Sequence, residues 1–505
     1  MPRTAVIDLG SNSFRLVVFT AEPGAWWRRT DEIYEPVRIG AGMGEGGALK
    51  PKRMDRALRT LDVYAHFCRA TGLDPRDVRA VATSAIREAS NRDEFVARAQ
   101  EVAGVEVRVL SREEEARYGY LAAINSTTLS HGAVLDLGGG SLQLVRVDDR
   151  LAQESGSWRL GTVRMTEGFL AEGASGKKPL KALRAHVREQ LSDAAWLATS
   201  GERLVGIGGT VRNLAAAAGH RAGLPSFGVQ GFVLEREALA ELTADLAAMP
   251  VQERGAVPGI KPDRGDVILA GAATLEAVLE AGAFEAIEVT EEGLREGVFF
   301  ETHLAPADPP LLASVREASV RNLAAQHTRD LGHPEHVAAL ALQMYDALAA
   351  AGAHAGDPQE RQLVWAAGLL HDVGYAIDYD DHHKHSRYLI LNAGLPGWTP
   401  REVALIAQMA RYHRKGTPGF GELAPLMGDG DAERLTRGAA LLRVAEQLER
   451  SRDQLVREAR VQVDDGTVRL GLVAGDDPSV ARWAAQRHSD LFESAFGRRL
   501  EIDPG

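Results

Sequence analysis

The chain has 505 residues, 45% hydrophobic and 25% charged, which is ordinary for a soluble globular protein and long enough for about three domains. A formal net charge of −12 excludes a generally basic nucleic-acid binder, so a polyanionic substrate needs a local basic cleft inside an acidic protein. A single cysteine, Cys68, excludes an intramolecular disulfide and a cysteine-based zinc site; no apolar run is long enough to span a membrane, and Met1 leads straight into a strand with no charged-then-apolar leader, so a reducing, cytoplasmic setting is expected.

The N-terminus reads as an apolar run, then Asp8-Leu9-Gly10-Ser11-Asn12-Ser13, then a second apolar run through Phe19. The same pattern returns as Asp136-Leu137-Gly138-Gly139-Gly140-Ser141, so that Asp8, Gly10 and Ser13 align with Asp136, Gly138 and Ser141 in one register. Each copy predicts strand, tight turn, strand. Glycine lets the backbone approach a ligand closely, and successive N–H groups with a serine hydroxyl form a nest for phosphate. The strand-end aspartates suit a metal or a water. One such hairpin is weak evidence; two in register predict duplicated domains facing each other across a phosphate site.

Between the copies, Arg38 opens a glycine stretch, Gly40, Gly42 and Gly44, which either lines the cleft or is a mobile loop. Residues 51–71 have helical spacing, with Met54, Leu58, Leu61, Tyr64 and Ala65 on one face and Cys68 beside them as a core residue. A strand over 78–81 leads to Thr83 or Ser84 as a helix cap. Arg87 then lies near a helix start, as a phosphate ligand or as an ordinary surface arginine. A strand over 106–110 ends at Ser111-Arg112-Glu113-Glu114-Glu115. Ser111 and Glu114 have capping-box spacing, and Glu113 suits the helix dipole. Glu115 is turned to another face and is not needed for the cap, so it is the candidate general base.

Beyond the second loop, Arg159 and Arg164 bracket Gly161-Thr162. Residues 204–212 predict a strand turning through Gly208-Gly209-Thr210 into a helix N-terminus. Asp263 and Arg264 precede a long Ala/Leu-rich helix reaching about 281. A strand over 287–290 then leads into a helix from Gly293 to about 304. Alternating strands and helices in both halves predict α/β architecture. Residues 305–310, rich in proline, read as a linker. From 311 the chain is mostly helical and rich in histidine, with a hairpin over 461–470 at an Asp-Gly turn.

Taken together, the Asp8–Phe14 loop, Ala82-Thr83-Ser84-Ala85-Ile86-Arg87-Glu88, Glu114-Glu115-Ala116, Asp136–Ser141, Gly206-Ile207-Gly208-Gly209-Thr210 and Leu294-Arg295-Glu296-Gly297 resemble the exopolyphosphatase/guanosine pentaphosphate phosphohydrolase family. The resemblance implies two actin-like lobes (ribonuclease H-like, residues 1–125 and 126–304) and a mostly helical HD-like domain over 311–505. It implies that Glu115 activates a water for in-line attack on a terminal phosphorus. Gly10, Ser11, Asn12, Ser13, Gly138, Gly139, Gly140, Ser141, Gly208, Gly209 and Thr210 would hold phosphate oxygens, with Arg87 as the matching arginine and Arg15, Arg38 and Arg264 as further candidates. Asp136 and Asp8 would serve Mg2+ or Mn2+. One departure stands out: Gln143 occupies a position where the family commonly carries Glu, which removes a charged oxygen from the metal's surroundings.

In the HD-like part, His333 (a better fit than His336), His371 and Asp372 follow the HD pattern. His385, His413 and Glu446 would complete a second divalent metal site, with Glu where the usual final acid is Asp. Otherwise these side chains satisfy one another or bind phosphate, and Lys384, His385, Arg387, Arg411, Arg414 and Lys415 either extend a channel for a long polyanion or form a solvated charged face. The leading expectation is an exopolyphosphatase, cytoplasmic and homodimeric. A guanosine pentaphosphate 5′-phosphohydrolase is second, and a kinase of the same fold or a non-catalytic nucleotide-polyphosphate sensor stand further off.

Overall fold

The computed structural model describes residues 1–43, 47–170, 176–328 and 330–503. It divides into two compact units, Met1–Val315 and Arg316–Gly505. In the first, β1 (Arg3–Leu9), β2 (Phe14–Glu22) and β3 (Trp26–Glu35) form an antiparallel meander. After α1 (Pro51–Ala70), β4 (Val78–Ala82) returns parallel to β1. Then α2 (Ser84–Glu88), α3 (Arg92–Ala103) and β5 (Val107–Val109), parallel to β4, lead into α4 (Arg112–Ile124). The strand order is β3-β2-β1-β4-β5. Helix α1 buries the stripe its spacing predicts, Cys68 included, and Tyr64 Oη donates to the Phe14 carbonyl at 3.0 Å.

The second half repeats the scheme. It runs β6 (Gly132–Leu137), β7 (Leu142–Asp148), β8 (Leu151–Trp158), α5 (Thr162–Phe169), α6 (Lys177–Gln190), β9 (Leu204–Ile207), α7 (Gly209–Arg221), β10 (Val233–Glu235), α8 (Arg236–Ala248), α9 (Ile268–Gly282), β11 (Ala286–Val289) and α10 (Leu294–His303). Its sheet order is β10-β11-β9-β6-β7-β8. Read from β8 to β11, order and strand sense match the first lobe, with antiparallel hairpins on one side of the central strand and parallel crossovers on the other. The fold is therefore two actin-like α/β lobes built on one plan.

Helices α4 and α10 pack between the sheets, in a core that mixes Val6, Phe19, Val134, Val205 and Phe299. Phe19 and Phe299 stack at 4.4 Å. Gly297 leaves no room for a Cβ against the Tyr118 carbonyl, which lets the two helices touch backbone to backbone. Helix α10, expected within the second lobe, thus also packs on the first. The expected linker is also part of this unit: Asn125 Nδ2 donates to Pro310 O at 3.0 Å, and Leu312 N donates to Asn125 Oδ1 at 2.8 Å.

The second unit is mostly helical: α11 (Val315–His327), α12 (Gly332–Ala350), α13 (Pro358–Leu370), α14 (His382–Ala393), α15 (Pro400–Tyr412) and α16 (Asp431–Leu448) precede β12 (Val456–Asp464) and β13 (Thr467–Ala474). The expected hairpin turns at Gly466, φ +80°. After α17 (Ser479–Gln486) and α18 (Asp490–Phe496), β14 (Arg499–Asp503) adds a third strand, parallel to β13, which the sequence reading missed. Among the described residues no helix is long and apolar enough to cross a membrane.

Candidate active site

The two repeated loops close in the same way. Gly10 N–H donates to Ser13 O at 3.2 Å, and Gly138 N–H donates to Ser141 O at 3.0 Å. They face one another: Ser11 Oγ is 3.0 Å from Ser84 Oγ, and a Cβ on Gly139 would lie 3.4 Å from Asn12 Cβ. The cleft between them, about 140 Å3, is lined by Gly10, Ser11, Asn12, Ser13, Gly138, Gly139, Ser141, Gly208 and Gly209. Its charged groups are Asp8, Glu115, Asp136, Arg15, Arg212, Arg264 and Arg295. Gly208 has φ +110°, and a Cβ there would meet Leu137 O at 2.6 Å, so only glycine carries β9 past β6 into α7.

Glu115 is placed by its neighbours' capping. Ser111 Oγ accepts from Glu114 N at 3.1 Å and Glu114 Oε2 accepts from Ser111 N at 2.8 Å, completing the capping box. One residue on, a rotation of about 100° carries Glu115 to the inner face, where it is 6% exposed. Its Oε2 accepts from Arg87 NH1 at 2.7 Å and its Oε1 from Ser141 Oγ at 3.2 Å. Gln143 Nε2 donates to Ser141 Oγ at 2.8 Å, so a chain of donors runs from the amide through the hydroxyl to the carboxylate. Burial raises the Glu115 pKa, and Arg87 and Ser141 oppose that rise.

Asp8 and Asp136 end equivalent strands, and Asp136 pairs with Gln143 across β6–β7. Burial raises both carboxylates, Asp136 to about 7 with Glu115 and Asp8 adding to the rise. The Asp136 carboxylate lines the cleft. Opposite stand the cations. Arg295 NH1 is 3.5 Å from Asp8 Oδ2. Arg15 pairs with Glu32 at 2.8 Å. Arg264 lies against Gly209 at the start of α7. Arg212 donates to Glu291 O, and burial lowers its pKa to about 10. Such a site can neutralise phosphate oxygens, hold a divalent cation and deprotonate a water. Two half-buried carboxylates at matching strand ends, Asp8 and Asp136, could hold a divalent cation there. No trio of metal-ligating groups within 4.8 Å forms in this cleft among the described residues.

Four expected phosphate ligands stand elsewhere. Arg87 is turned to Glu115 and to the Leu110 carbonyl at 3.0 Å, because β5 and α4 close over it. Arg38 reaches across to the second lobe, pairing with Asp266 at 2.9 Å. Thr210 is 1% exposed, its methyl packed toward Gly271 of α9. Gly140 faces an adjoining pocket with Arg159 and Arg164, both of which bond Glu88. Gly44 lies outside the described residues. Arg212 and Arg295 were not among the expected ligands, although Arg212 follows the Gly206–Thr210 motif in the first turn of α7 and Arg295 is the second residue of α10, inside the Leu294–Gly297 motif; an arginine in the first turn after a glycine was the available signal.

In the C-terminal unit, His333, His371, Asp372 and Glu446 present one donor set, and Asp372, His382 and His413 a second, each within 4.8 Å. His385, expected here, is replaced by His382. The His382 ring stacks on Tyr375 at 4.1 Å and faces inward, while His385 packs against Gly374. The basic residues are partly engaged: Lys384 and Lys415 pair with Asp381, and Arg387 with Glu422.

The profile of the Ppx/GppA phosphatase family matches residues 28–305, and that of Ppx/GppA phosphatase domain III matches residues 315–477. The chain is similar to the Aquifex aeolicus member of the Ppx/GppA protein family, at 30% identity over 59% of this chain and 96% of that one, with a TM-score of 0.51. An exopolyphosphatase-like protein is similar at 26% identity over 60% of this chain and 99% of that one, with a TM-score of 0.53. An exopolyphosphatase from Cytophaga hutchinsonii shares the fold at 23% identity over 60% of this chain and 98% of that one, with a TM-score of 0.56. With profile matches over more than half its length, this chain belongs to the Ppx/GppA phosphatase family and is a phosphoanhydride hydrolase.

Proposed function

We propose that the inter-lobe cleft hydrolyses the terminal phosphoanhydride of inorganic polyphosphate, with Glu115 as general base. The observation that carries this reading is the buried Glu115 carboxylate between Arg87 and Ser141, facing two matched phosphate loops. The N–H groups of the loops around Gly10 and Gly138 hold the terminal phosphate. Arg15, Arg264 and Arg295 take up the charge that grows on its oxygens, in a reaction that is mostly positioning and charge stabilisation. Glu115 takes the proton of the attacking water, and the Gln143–Ser141 donor chain keeps its Oε1 oriented. Asp8 and Asp136 would hold Mg2+ or Mn2+, which supplies further neutralisation of the phosphate.

Guanosine pentaphosphate is the second reading. The pocket adjoining the cleft through Ser11 and Gly139 is about 500 Å3 and mixes Met43, Val163, Met165 and Phe169 with Arg159, Arg164 and His186, a lining suited to a nucleoside. Phosphate release with Mg2+ decides: a higher kcat/KM for long-chain polyphosphate supports the first reading, a higher value for guanosine pentaphosphate the second. Unchanged release by Glu115→Gln would remove the base from both.

A second divalent cation belongs, in this reading, to the C-terminal donor set of His333, His371, Asp372 and Glu446. Neutral imidazole with carboxylate favours a transition metal such as Mn2+ over Mg2+. Equilibrium dialysis of the chain against Mn2+ tests it.

A further inference from the structure

Helix α5 starts on the second phosphate loop. Thr162 N–H donates to Gly138 O at 3.0 Å and Val163 N–H donates to Gly139 O at 2.9 Å. A Cβ on Gly161 would run into the Gly139–Gly140 backbone, so only glycine lets the helix seat this closely. Arg164 is fixed to the loop with it, its Nε donating to Gly140 O at 3.3 Å. Arg159 stands just before the same turn, at the end of β8. Both arginines line the adjoining pocket of about 500 Å3, which meets the cleft at Ser11 and Gly139.

Both arginines are turned to one acid of the first lobe. Arg159 Nε and Arg164 NH2 each lie 2.9 Å from Glu88 Oε2, and Arg159 NH2 donates to the same oxygen. Glu88 is the last residue of α2 and is largely buried there. Burial alone would raise its pKa, but Arg159 and Arg164 override that and hold it ionised. Three donors on one oxygen are a poor match for a carboxylate, because a guanidinium fork pairs best with two oxygens of one anion. A phosphate chain offers two free oxygens on every internal unit, which suits two forks side by side. The acid that lines the pocket, Glu167, accepts from Gly42 N at 3.3 Å.

We propose that Arg159 and Arg164 form a subsite for the phosphates beyond the scissile bond, and that Glu88 occupies it as a built-in competitor which the substrate chain displaces; this rests on the reading of the cleft as the seat of the terminal phosphate. Arg164 stands at Gly140, so the subsite begins where the phosphate loop ends. The test is isothermal titration of tripolyphosphate, at fixed Mg2+, into the Glu115→Gln full chain with and without Glu88→Gln. Removing the competing charge is expected to lower Kd about tenfold. An acid that only ties the lobes together would leave binding equal or weaker when lost. Glu88→Asp keeps the charge but shortens its reach, and is expected to fall between the two. Arg159→Met and Arg164→Met are each expected to raise Kd about tenfold, and the gain from Glu88→Gln is expected to vanish in a chain lacking both arginines. Equal or weaker binding by both Glu88 variants, or a gain that survives loss of both arginines, overturns the subsite and leaves the cleft reaction standing. Tripolyphosphate that binds but is not hydrolysed by the unaltered chain overturns the reaction and leaves the subsite. No binding at all overturns both.

Discussion

Arg87→Met separates a base-tuning role from a phosphate-binding one. Met keeps the length and the apolar stem but removes a charge whose NH1 lies 2.7 Å from Glu115 Oε2, with both side chains largely buried. Two charges about 4 Å apart at an effective dielectric constant of about 20 interact by about 4 kcal/mol. That is a ceiling on what Arg87 contributes to keeping Glu115 ionised. Burial already pushes this carboxyl up, and Arg87 is the largest influence opposing it. Without Arg87 the pKa rises further, and a base that must be deprotonated loses its active fraction at any pH below it. The acid limb of kcat/KM for phosphate release from polyphosphate, followed from pH 5.5 to 9.5 at saturating Mg2+, is therefore expected to move up, with activity recovered on the alkaline side. An acid limb that stays in place while KM rises would refute this reasoning and return Arg87 to the phosphate.

Other outcomes follow from the same geometry. Glu115→Gln is expected to lower kcat by about 100- to 10,000-fold with little change in KM, the usual range for a general base. Gln143→Glu replaces the amide that donates to Ser141 with an acceptor beside Asp136. Tighter Mg2+ binding in titration and an acid limb moved upward are expected, and unaltered metal affinity would count against Asp136 as a ligand. In the metal-free protein Asp136 titrates near 7 rather than near 3.8. A carboxyl raised on folding stabilises the fold below its unfolded pKa, and that contribution is lost as pH rises toward and through about 7. Asp136→Asn is thus expected to stabilise the metal-free chain at pH 8 by at most about 4 kcal/mol, read as a higher Tm, and to do little at pH 4. Gly297→Ala forces a Cβ onto the Tyr118 carbonyl where α10 crosses α4. A loss of several degrees in Tm is expected, and an unchanged Tm would mean that the crossing is loose.

Whatever depends on neighbours in the chain was readable before the fold. The turn in each Asp-Leu-Gly loop closes within four residues, by Gly10 to Ser13 and by Gly138 to Ser141, so both hairpins and their equivalence follow from sequence alone. The capping box works over three residues, and helical rotation then turns Glu115 inward without reference to anything distant. The direction in which a long arginine points is settled by partners far along the chain, because a buried guanidinium goes where acceptors and space remain after packing. Arg87 thus went to Glu115 and Arg38 to Asp266, while Arg295, legible in the sequence only as part of a motif, came to Asp8 across 287 residues. The choice of His382 over His385 has the same origin. Both lie on α14, and only tertiary packing, which stacks one ring on Tyr375 and sets the other against Gly374, decides which of them meets Asp372.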